Sequence, residues 1–190
     1  MVLNIRVRAA TYLTIAVVAL AVAHAGCITN SPDLSSPPHP PILPTVQLQQ
    51  NASEVAPAEI LGMARIIVST GPDALQRSKQ RHIGDIENIE DVAIIHYSGD
   101  EMLLTLWTTS YQNEALASSE TEKMVTGIHR FGGDWASTLK EITVNGKTVY
   151  QIEPDGMPQY FWSDGRWMFY FIAHNIPPDK IPTVIRAIPE

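Results

Sequence analysis

The sequence predicts an α+β domain in which an antiparallel β-sheet, built from hairpins, carries helices packed on one face. Three observations predict this class. Three turn signals each separate a pair of β-rich runs, one long stretch between the first and second pair has helical periodicity, and a short apolar stripe at helical spacing lies near the end of the chain. The predicted order is a helix, two strands, a helix, four strands and a final helix.

Six strands follow from three hairpin turns, Gly99-Asp100, Asn145-Gly146 and Asp164-Gly165. Asn-Gly and Asp-Gly tolerate the positive φ values that a type I′ turn requires, so such pairs between β-rich runs predict hairpins. The strands that these turns join are residues 92–97 and 102–108, residues 141–144 and 147–152, and residues 159–163 and 166–173.

The first hairpin has one uniformly apolar face and one mixed face, because side chains alternate along a strand. The apolar face, which we expect to be core, comprises Ala93, Ile95, Tyr97, Met102, Leu104 and Leu106. The mixed face comprises Val92, Ile94, His96, Leu103, Thr105 and Trp107. His96 and Trp107 on the mixed face are therefore candidates for a surface that meets water or a partner.

Two helices are predicted from apolar spacing and capping signals. Residues 111–131 carry a helical stripe, with Gly132-Gly133 as a C-cap; the stripe is Ala117, Met124, Ile128 and Phe131. Near the end of the chain, Asp179 is expected to cap a short helix whose apolar stripe is Ile181, Val184, Ile185 and Ile188. Upstream, residues 58–68 are interpreted as mostly helical, and residues 72–80 fit either a helix or a strand.

The third hairpin, residues 160–171, is rich in aromatic side chains. A two-residue turn at Asp164-Gly165 sets Trp162 opposite Trp167, Tyr160 opposite Phe169, and Phe161 opposite Met168. The tryptophan face is expected to be core. The other face either packs or forms an aromatic platform for a sugar, a peptide or a second protein. The predicted ligand or partner surface is therefore Phe161, Met168, Tyr170, His96 and Trp107.

No catalytic, metal or cofactor motif is found in the sequence. Gly-rich phosphate loops, G-x-S-x-G and H-E-x-x-H do not occur, and the histidines never pair at i+2 or i+4 spacing. Ser137 and Lys140 have S-x-x-K spacing, but Lys140 opens a predicted strand and does not share a helical turn with Ser137. The sequence accordingly predicts no catalytic, metal or cofactor residues.

The N-terminus has the order of a secretory signal over residues 1–26. Arg6 and Arg8 come first without any acid, residues 12–22 are almost wholly apolar, and residues 23–26 include Ala23, Ala25 and Gly26. This order predicts export. Signal peptidase has a possible A-x-A site before Gly26, and the apolar run is shorter than the roughly 20 residues that span a membrane.

The end of this signal, Ala25-Gly26-Cys27, resembles the lipobox of prokaryotic lipoproteins, bacterial or archaeal. The resemblance implies that Cys27, the single cysteine of the chain, becomes the lipidated first residue and anchors the protein to the membrane. A free thiol on Cys27 and an uncleaved N-terminal anchor remain as alternatives.

The chain divides into a signal peptide (1–26), a lipidated cysteine with a Pro-rich tether (27–54) and one α+β domain (55–190). Asn51-Ala52-Ser53 has the form of a glycosylation sequon. Without the signal, 11 basic and 20 acidic residues remain, a net charge of about −9 that argues against nucleic acid as a partner.

These observations favour a non-catalytic binding domain at the cell envelope or cell surface, with an unknown ligand or protein partner. Two alternatives stand beside it. One is an envelope hydrolase whose site is assembled from residues distant in the sequence, and the other is a structural subunit of a surface complex.

Overall fold

The computed structural model describes residues 50–82 and 86–188. The signal peptide, Cys27 and all but the end of the tether lie outside the described residues, so lipidation, export and anchoring stay predictions. No helix within the described ranges combines the length and the apolar character needed to cross a membrane.

The described residues contain eight strands in one antiparallel sheet, ordered β1-β2-β3-β4-β8-β7-β6-β5. The strands are β1 Glu59–Ile60, β2 Met63–Thr70, β3 Ile89–Gly99, β4 Met102–Tyr111, β5 Lys140–Val144, β6 Lys147–Ile152, β7 Gln159–Asp164 and β8 Trp167–His174. The described helices are α1 Gly71–Arg81, α2 Glu114–Phe131, α3 Asp134–Thr138 and α4 Ile181–Ala187. The predicted α+β class and its antiparallel sheet are confirmed.

Two of the three predicted hairpins turn one position later than expected. The first turn is Asp100-Glu101, with φ of 48° and 65°, and the third is Gly165-Arg166, with Gly165 at φ 52°. The Asn145-Gly146 turn lies where it is predicted, with φ of 53° and 81°. A positive φ suits the first central position of type I′ and II′ turns, which match the twist of the flanking strands.

This displacement changes the predicted cross-strand pairs but not the faces. Trp162 lies opposite Phe169, Phe161 opposite Tyr170 and Tyr160 opposite Phe171, so the predicted pairs in this hairpin are wrong. Moving a two-residue turn by one position shifts the register by two residues, which returns every side chain to its original face. Trp162 and Trp167 are both in the main core, as predicted.

The main core fills one face of the sheet. Its aromatic and leucine side chains from the sheet are Tyr97, Leu104, Leu106, Tyr160, Trp162, Trp167, Phe169 and Phe171. Helix α4 covers this face with its predicted stripe, in which Ile181 is 4% exposed and Val184, Ile185 and Ile188 are at most 1% exposed. The 3-10 turn Pro178–Lys180 precedes α4, but Asp179 makes no side-chain cap.

Helices α1, α2 and α3 lie on the opposite face of the sheet. Helix α1 packs Ala74 against Val92 and Ile94, and α2 packs Ile128 against Phe161 and Ile152. Both faces of the sheet are therefore covered, three helices sharing one face and α4 lying on the other. This arrangement buries the alternating apolar residues of both faces of the aromatic hairpin.

Residues 58–68, which the sequence analysis interprets as mostly helical, form the β1–β2 hairpin instead. Its turn is Leu61-Gly62, with φ of 52° and 80°, and the run Ile66-Ile67-Val68 continues β2. β-branched side chains lose rotamer freedom in a helix and suit a strand, and this preference decides the element. The open choice over residues 72–80 resolves as helix α1, with Pro72 in its first turn.

The packed domain includes residues that the sequence analysis assigns to the tether. Ala52 is fully buried; its N–H donates to Asp91 Oδ2 at 2.8 Å, and its carbonyl accepts from the Thr108 hydroxyl. Arg65 holds the same segment by donating from Nη1 to the Ser53 and Ala56 carbonyls at 2.8 and 2.6 Å. The start of the domain therefore lies before residue 55.

Helix α2 confirms the predicted long helix, but it begins at Glu114, three residues later than predicted. Asn113 caps it by accepting from the Leu116 N–H at 3.0 Å, and Gly132 closes it by donating to the Ile128 carbonyl at 2.8 Å. Ala117 and Ile128 of the predicted stripe are buried, but Phe131, the last residue of the helix, is 73% exposed.

Candidate ligand-binding cleft

A cleft of about 520 Å³ lies at the end of the sheet formed by β5, β6 and β7, against helix α2. Ligand sites in proteins usually enclose between about 300 and 1,000 Å³. The lining side chains come from three places: Ser118, Thr121 and Glu122 on α2, residues 145–148 at the β5–β6 turn together with Tyr150 on β6, and Ser163 and Asp164 at the end of β7.

Two tight turns bring the strand ends of the cleft together. The type I′ turn at Asn145-Gly146 starts β6 at Lys147, and the β7–β8 turn ends β7 at Asp164. Strands β6 and β7 pair antiparallel with Tyr150 opposite Phe161, so Lys147 and Asp164 lie at the same end of the sheet. The register of these two strands therefore places a cation beside an anion.

Helix α2 forms the opposite wall. Ser118 and Glu122 are four residues apart, so they share a helix face. Thr121 beside them is buried, and its hydroxyl donates to the Ala117 carbonyl at 2.9 Å. The Thr121 proton is thereby committed to the helix, so this side chain adds no hydrogen-bond donor to the cleft.

The charges of the cleft are a carboxylate–ammonium pair and one further carboxylate. Lys147 Nζ forms an ion pair with Asp164 Oδ2, an atom that is shielded from solvent. Glu122 is exposed on the α2 wall. Because Lys147 and Asp164 offset each other, the cleft carries about one net negative charge.

Tyr150 supplies the aromatic surface of the cleft. Its ring stacks on Phe161, with the ring centroids 5.3 Å apart and the planes 25° apart. Partial burial raises the pKa of the Tyr150 phenol, and the negative charges of Glu141 and Glu122 raise it further. The hydroxyl is therefore neutral at physiological pH and retains its proton as a hydrogen-bond donor.

The five residues of the predicted ligand or partner surface all lie on the sheet face that α1, α2 and α3 share, and none of them lines the cleft. Phe161 is fully buried beneath α2, so it contributes nothing to a surface. Met168 and Tyr170 are half-buried against the same cluster. The sequence analysis leaves packing and an exposed platform open for this face of the hairpin, and the structure shows packing, because α2 covers the face here.

The other two predicted residues lie nearer the middle of that face. Trp107 packs against the α1 cluster and meets Tyr170 edge to face, with the ring centroids 5.5 Å apart. His96 is half-buried on β3 between Ile66 of β2 and Thr105 of β4. The Tyr170 hydroxyl donates to Gln159 Oε1, so its polar end is occupied.

The sequence analysis missed the cleft because its residues come from three separate elements. One signal was available: the Asn145-Gly146 and Asp164-Gly165 turns bracket two strands that pair if consecutive hairpins are neighbours. That pairing alone brings Lys147 and Asp164 to one end. Nothing in the sequence indicated that α2 would lie across the same end.

The described parts of the chain contain no group of three or more His, Cys, Asp or Glu side chains that could hold a metal ion. Comparison with protein-family models, with curated proteins and with solved structures finds no match to this chain.

Proposed function

We propose that this protein is a non-catalytic binding domain of the cell envelope that takes a small, neutral, polyhydroxylated ligand of the saccharide class in the cleft between α2 and the β6–β7 ends. The observation that carries the proposal is the cleft lining, in which hydroxyl, amide and carboxylate groups surround one aromatic ring. Export and a lipid on Cys27, both expected from the signal, would place this cleft outside the cytoplasm.

The polar groups of the cleft suit a ligand with many hydroxyls. Each sugar hydroxyl both donates and accepts, and the cleft offers an acceptor at Glu122, a donor at Tyr150 and an amide at Asn145 that does both. A hydrogen bond to a charged group contributes about 1.5 to 3 kcal/mol, more than a neutral one. Glu122 is therefore the strongest anchor available to a sugar hydroxyl.

The charge of the cleft disfavours anionic ligands. Lys147 is paired with Asp164, and Glu122 adds a negative charge. A phosphate or a carboxylate would have to compete with Asp164 for the ammonium group. A neutral ligand avoids that competition and can also place its C–H face on the Tyr150 ring, as apolar sugar faces do on aromatic side chains.

Saturation-transfer NMR tests the proposal, with maltose, cellobiose and di-N-acetylchitobiose as probes. We expect transfer to at least one of these disaccharides from the wild-type protein and its loss in Ser118→Trp, which fills the cleft. Ser119→Trp is the matched control, because Ser119 is the next residue of α2 and does not line the cleft. Absence of transfer to all three probes, or equal transfer in both variants, would overturn the proposal.

A saccharide hydrolase is the second candidate, because two carboxylates from distant parts of the chain, Glu122 and Asp164, line the same cleft. Glycoside hydrolysis usually needs one carboxylic acid and one carboxylate free to act on the substrate. Asp164 is tied to Lys147, which leaves Glu122 alone and favours binding over hydrolysis. Release of monosaccharide from a bound probe would establish the hydrolase instead.

A further inference from the structure

Strand β2 has an outer edge that is mostly without a partner strand in the described part of the chain. β1 pairs with it only at Met63 and Ala64, and the Arg65 N–H donates to the Ala58 carbonyl at 2.9 Å. From Ile66 to Thr70, no described strand lies on that side. Free backbone groups on an edge strand can pair with another chain.

The side chains on this edge are apolar and exposed. Ile66 is 54% exposed, Ile67 50% and Val68 37%. Ile66 and Ile67 point to opposite faces of the sheet, because they pair with His96 and Ile95. A bulge at Val68 interrupts the ladder to β3 but places no charge on the edge. Three consecutive exposed apolar residues on a free edge indicate an interaction surface.

We propose that β2 pairs antiparallel with β2 of a second copy of this chain, about a twofold axis near Ile67. An isologous contact requires a self-complementary surface. The segment from Ile66 to Thr70 meets this requirement because it contains no ionisable side chain. Apolar residues of one copy then lie against the same residues of the other.

The charges at the two ends of β2 also favour a second copy. Glu59, Asp100 and Glu101 are exposed at the end where β2 begins. Helix α1, which follows the other end of β2 directly at Gly71, carries the exposed side chains of Arg77 and Lys79, with Asp73 as its one acid. Antiparallel pairing brings the acidic end of one copy toward the basic end of the other, so the opposite charges complement each other.

The contact is short. About five residues of β2 are free to pair, which falls below the roughly 1,200 Å² of buried surface typical of stable complexes. The self-association is therefore transient in dilute solution and is favoured where many copies are close together. A cross-link that traps the dimer detects such a contact better than an equilibrium measurement at low concentration.

The test is disulfide trapping in cells that express the full chain. Ile67→Cys is compared with Thr143→Cys, which is also an exposed position and lies on β5 at the other edge of the sheet. After copper-phenanthroline oxidation and non-reducing electrophoresis, we expect a band of twice the chain mass for Ile67→Cys, several-fold stronger than for Thr143→Cys. The unmodified chain gives the background from Cys27, and Val68→Cys is a second reporter.

Adding Ile66→Lys to Ile67→Cys tests whether the edge itself causes the trapping. With Ile67 at the twofold axis, each added ammonium group lies opposite Val68 of the other copy and diagonal to its symmetry mate. This proximity of two like charges should weaken the band by about tenfold, the factor that corresponds to 1.4 kcal/mol. Equal bands from Ile67→Cys and Thr143→Cys, no effect of Ile66→Lys, or an adduct of different mass without the dimer would each overturn the proposal. The last result would assign the edge to another protein.

Discussion

The two edge regions of the sheet, called the β5–β6 end and the β1–β2 end below, expose different side chains to solvent. At the β5–β6 end, the edge strand exposes Lys140, Glu141 and Thr143, and the cleft beside it is polar. At the β1–β2 end, the edge exposes an isoleucine pair and a valine. Charged residues on an edge prevent pairing with other chains, whereas apolar residues invite it.

This difference separates two kinds of recognition within one sheet. Directional polar groups at the β5–β6 end can select a small ligand by its hydrogen-bonding pattern. The β1–β2 end offers backbone pairing and apolar contact, which suit another polypeptide. Between the two ends, both faces of the central strands are covered, so the centre serves as scaffold. The predictions below test these assignments.

The largest expected effect lies in the centre. Trp162→Ala and Phe161→Ala should each lower the free energy of unfolding by about 3 to 5 kcal/mol, because both side chains are fully buried, on opposite faces. Urea unfolding followed by circular dichroism measures both losses. A loss below about 0.5 kcal/mol for Phe161→Ala would mean that α2 does not cover that face, and the aromatic platform would again be a candidate site.

The β1–β2 end should depend on the segment that precedes it. A chain beginning at residue 55 loses Ala52, whose N–H and carbonyl bind Asp91 and Thr108. We expect it to be about 2 to 3 kcal/mol less stable than a chain beginning at residue 50, because a buried methyl group and two hydrogen bonds are lost. Thermal unfolding of the two chains measures the difference, and equal stability would return the boundary to residue 55.

The sequence predicted well what local chemistry decides. The Asn145-Gly146 pair predicted the position of its turn correctly. In the first hairpin, the apolar alternation assigned Tyr97 and Leu104 to the core correctly, even though that turn lies one position later than predicted. A turn misplaced by one position leaves the predicted faces unchanged. It shifts the register by two residues, and side chains alternate between the faces with a period of two. The stripe of α4 was equally clear, since all four of its predicted residues are buried.

What the sequence did not predict depends on contacts between distant segments. The choice of helix for residues 58–68 failed because apolar spacing there fits both periods, and the Leu61-Gly62 turn was not recognised. The cleft required knowing that α2 crosses the β6–β7 end. Burial of Ala52 required knowing that its carbonyl meets Thr108, 56 residues away. The contacts of α2 and of Ala52 leave no local signal, whereas the Leu61-Gly62 turn was a local signal that went unrecognised.

Alkaline pH should affect the two ends differently through their tyrosines. Burial raises the pKa of Tyr97, whose hydroxyl donates to the Pro57 carbonyl at 2.7 Å, well above its ordinary value of 10.0. The folded protein then keeps a proton that the unfolded chain releases, so stability is complete below about pH 10 and falls as the pH rises further.

Tyr97→Phe should remove this part of the pH dependence. At one pH unit above the ordinary tyrosine pKa, the wild-type protein should have lost about 1.4 kcal/mol that the variant retains, relative to each protein at neutral pH. Urea midpoints measured at neutral and alkaline pH give the comparison. Tyr150→Phe at the cleft is the control with the smaller expected change, because burial of Tyr150 is only partial. Identical alkaline losses in wild type and Tyr97→Phe would contradict the burial of this hydroxyl.

The smallest expected effect is the stability change caused by a lysine on either edge. Ile67→Lys and Thr143→Lys replace exposed side chains on β2 and β5, and each should change the free energy of unfolding by no more than about 0.5 kcal/mol. Urea unfolding of dilute protein measures this change in the free energy of unfolding for the monomer alone, because the copies do not associate at low concentration. Sedimentation velocity at high protein concentration should then show self-association for wild type and Thr143→Lys but not for Ile67→Lys. A loss of several kcal/mol in Ile67→Lys would mean that Ile67 packs within its own chain, and the contrast between the two edges would disappear.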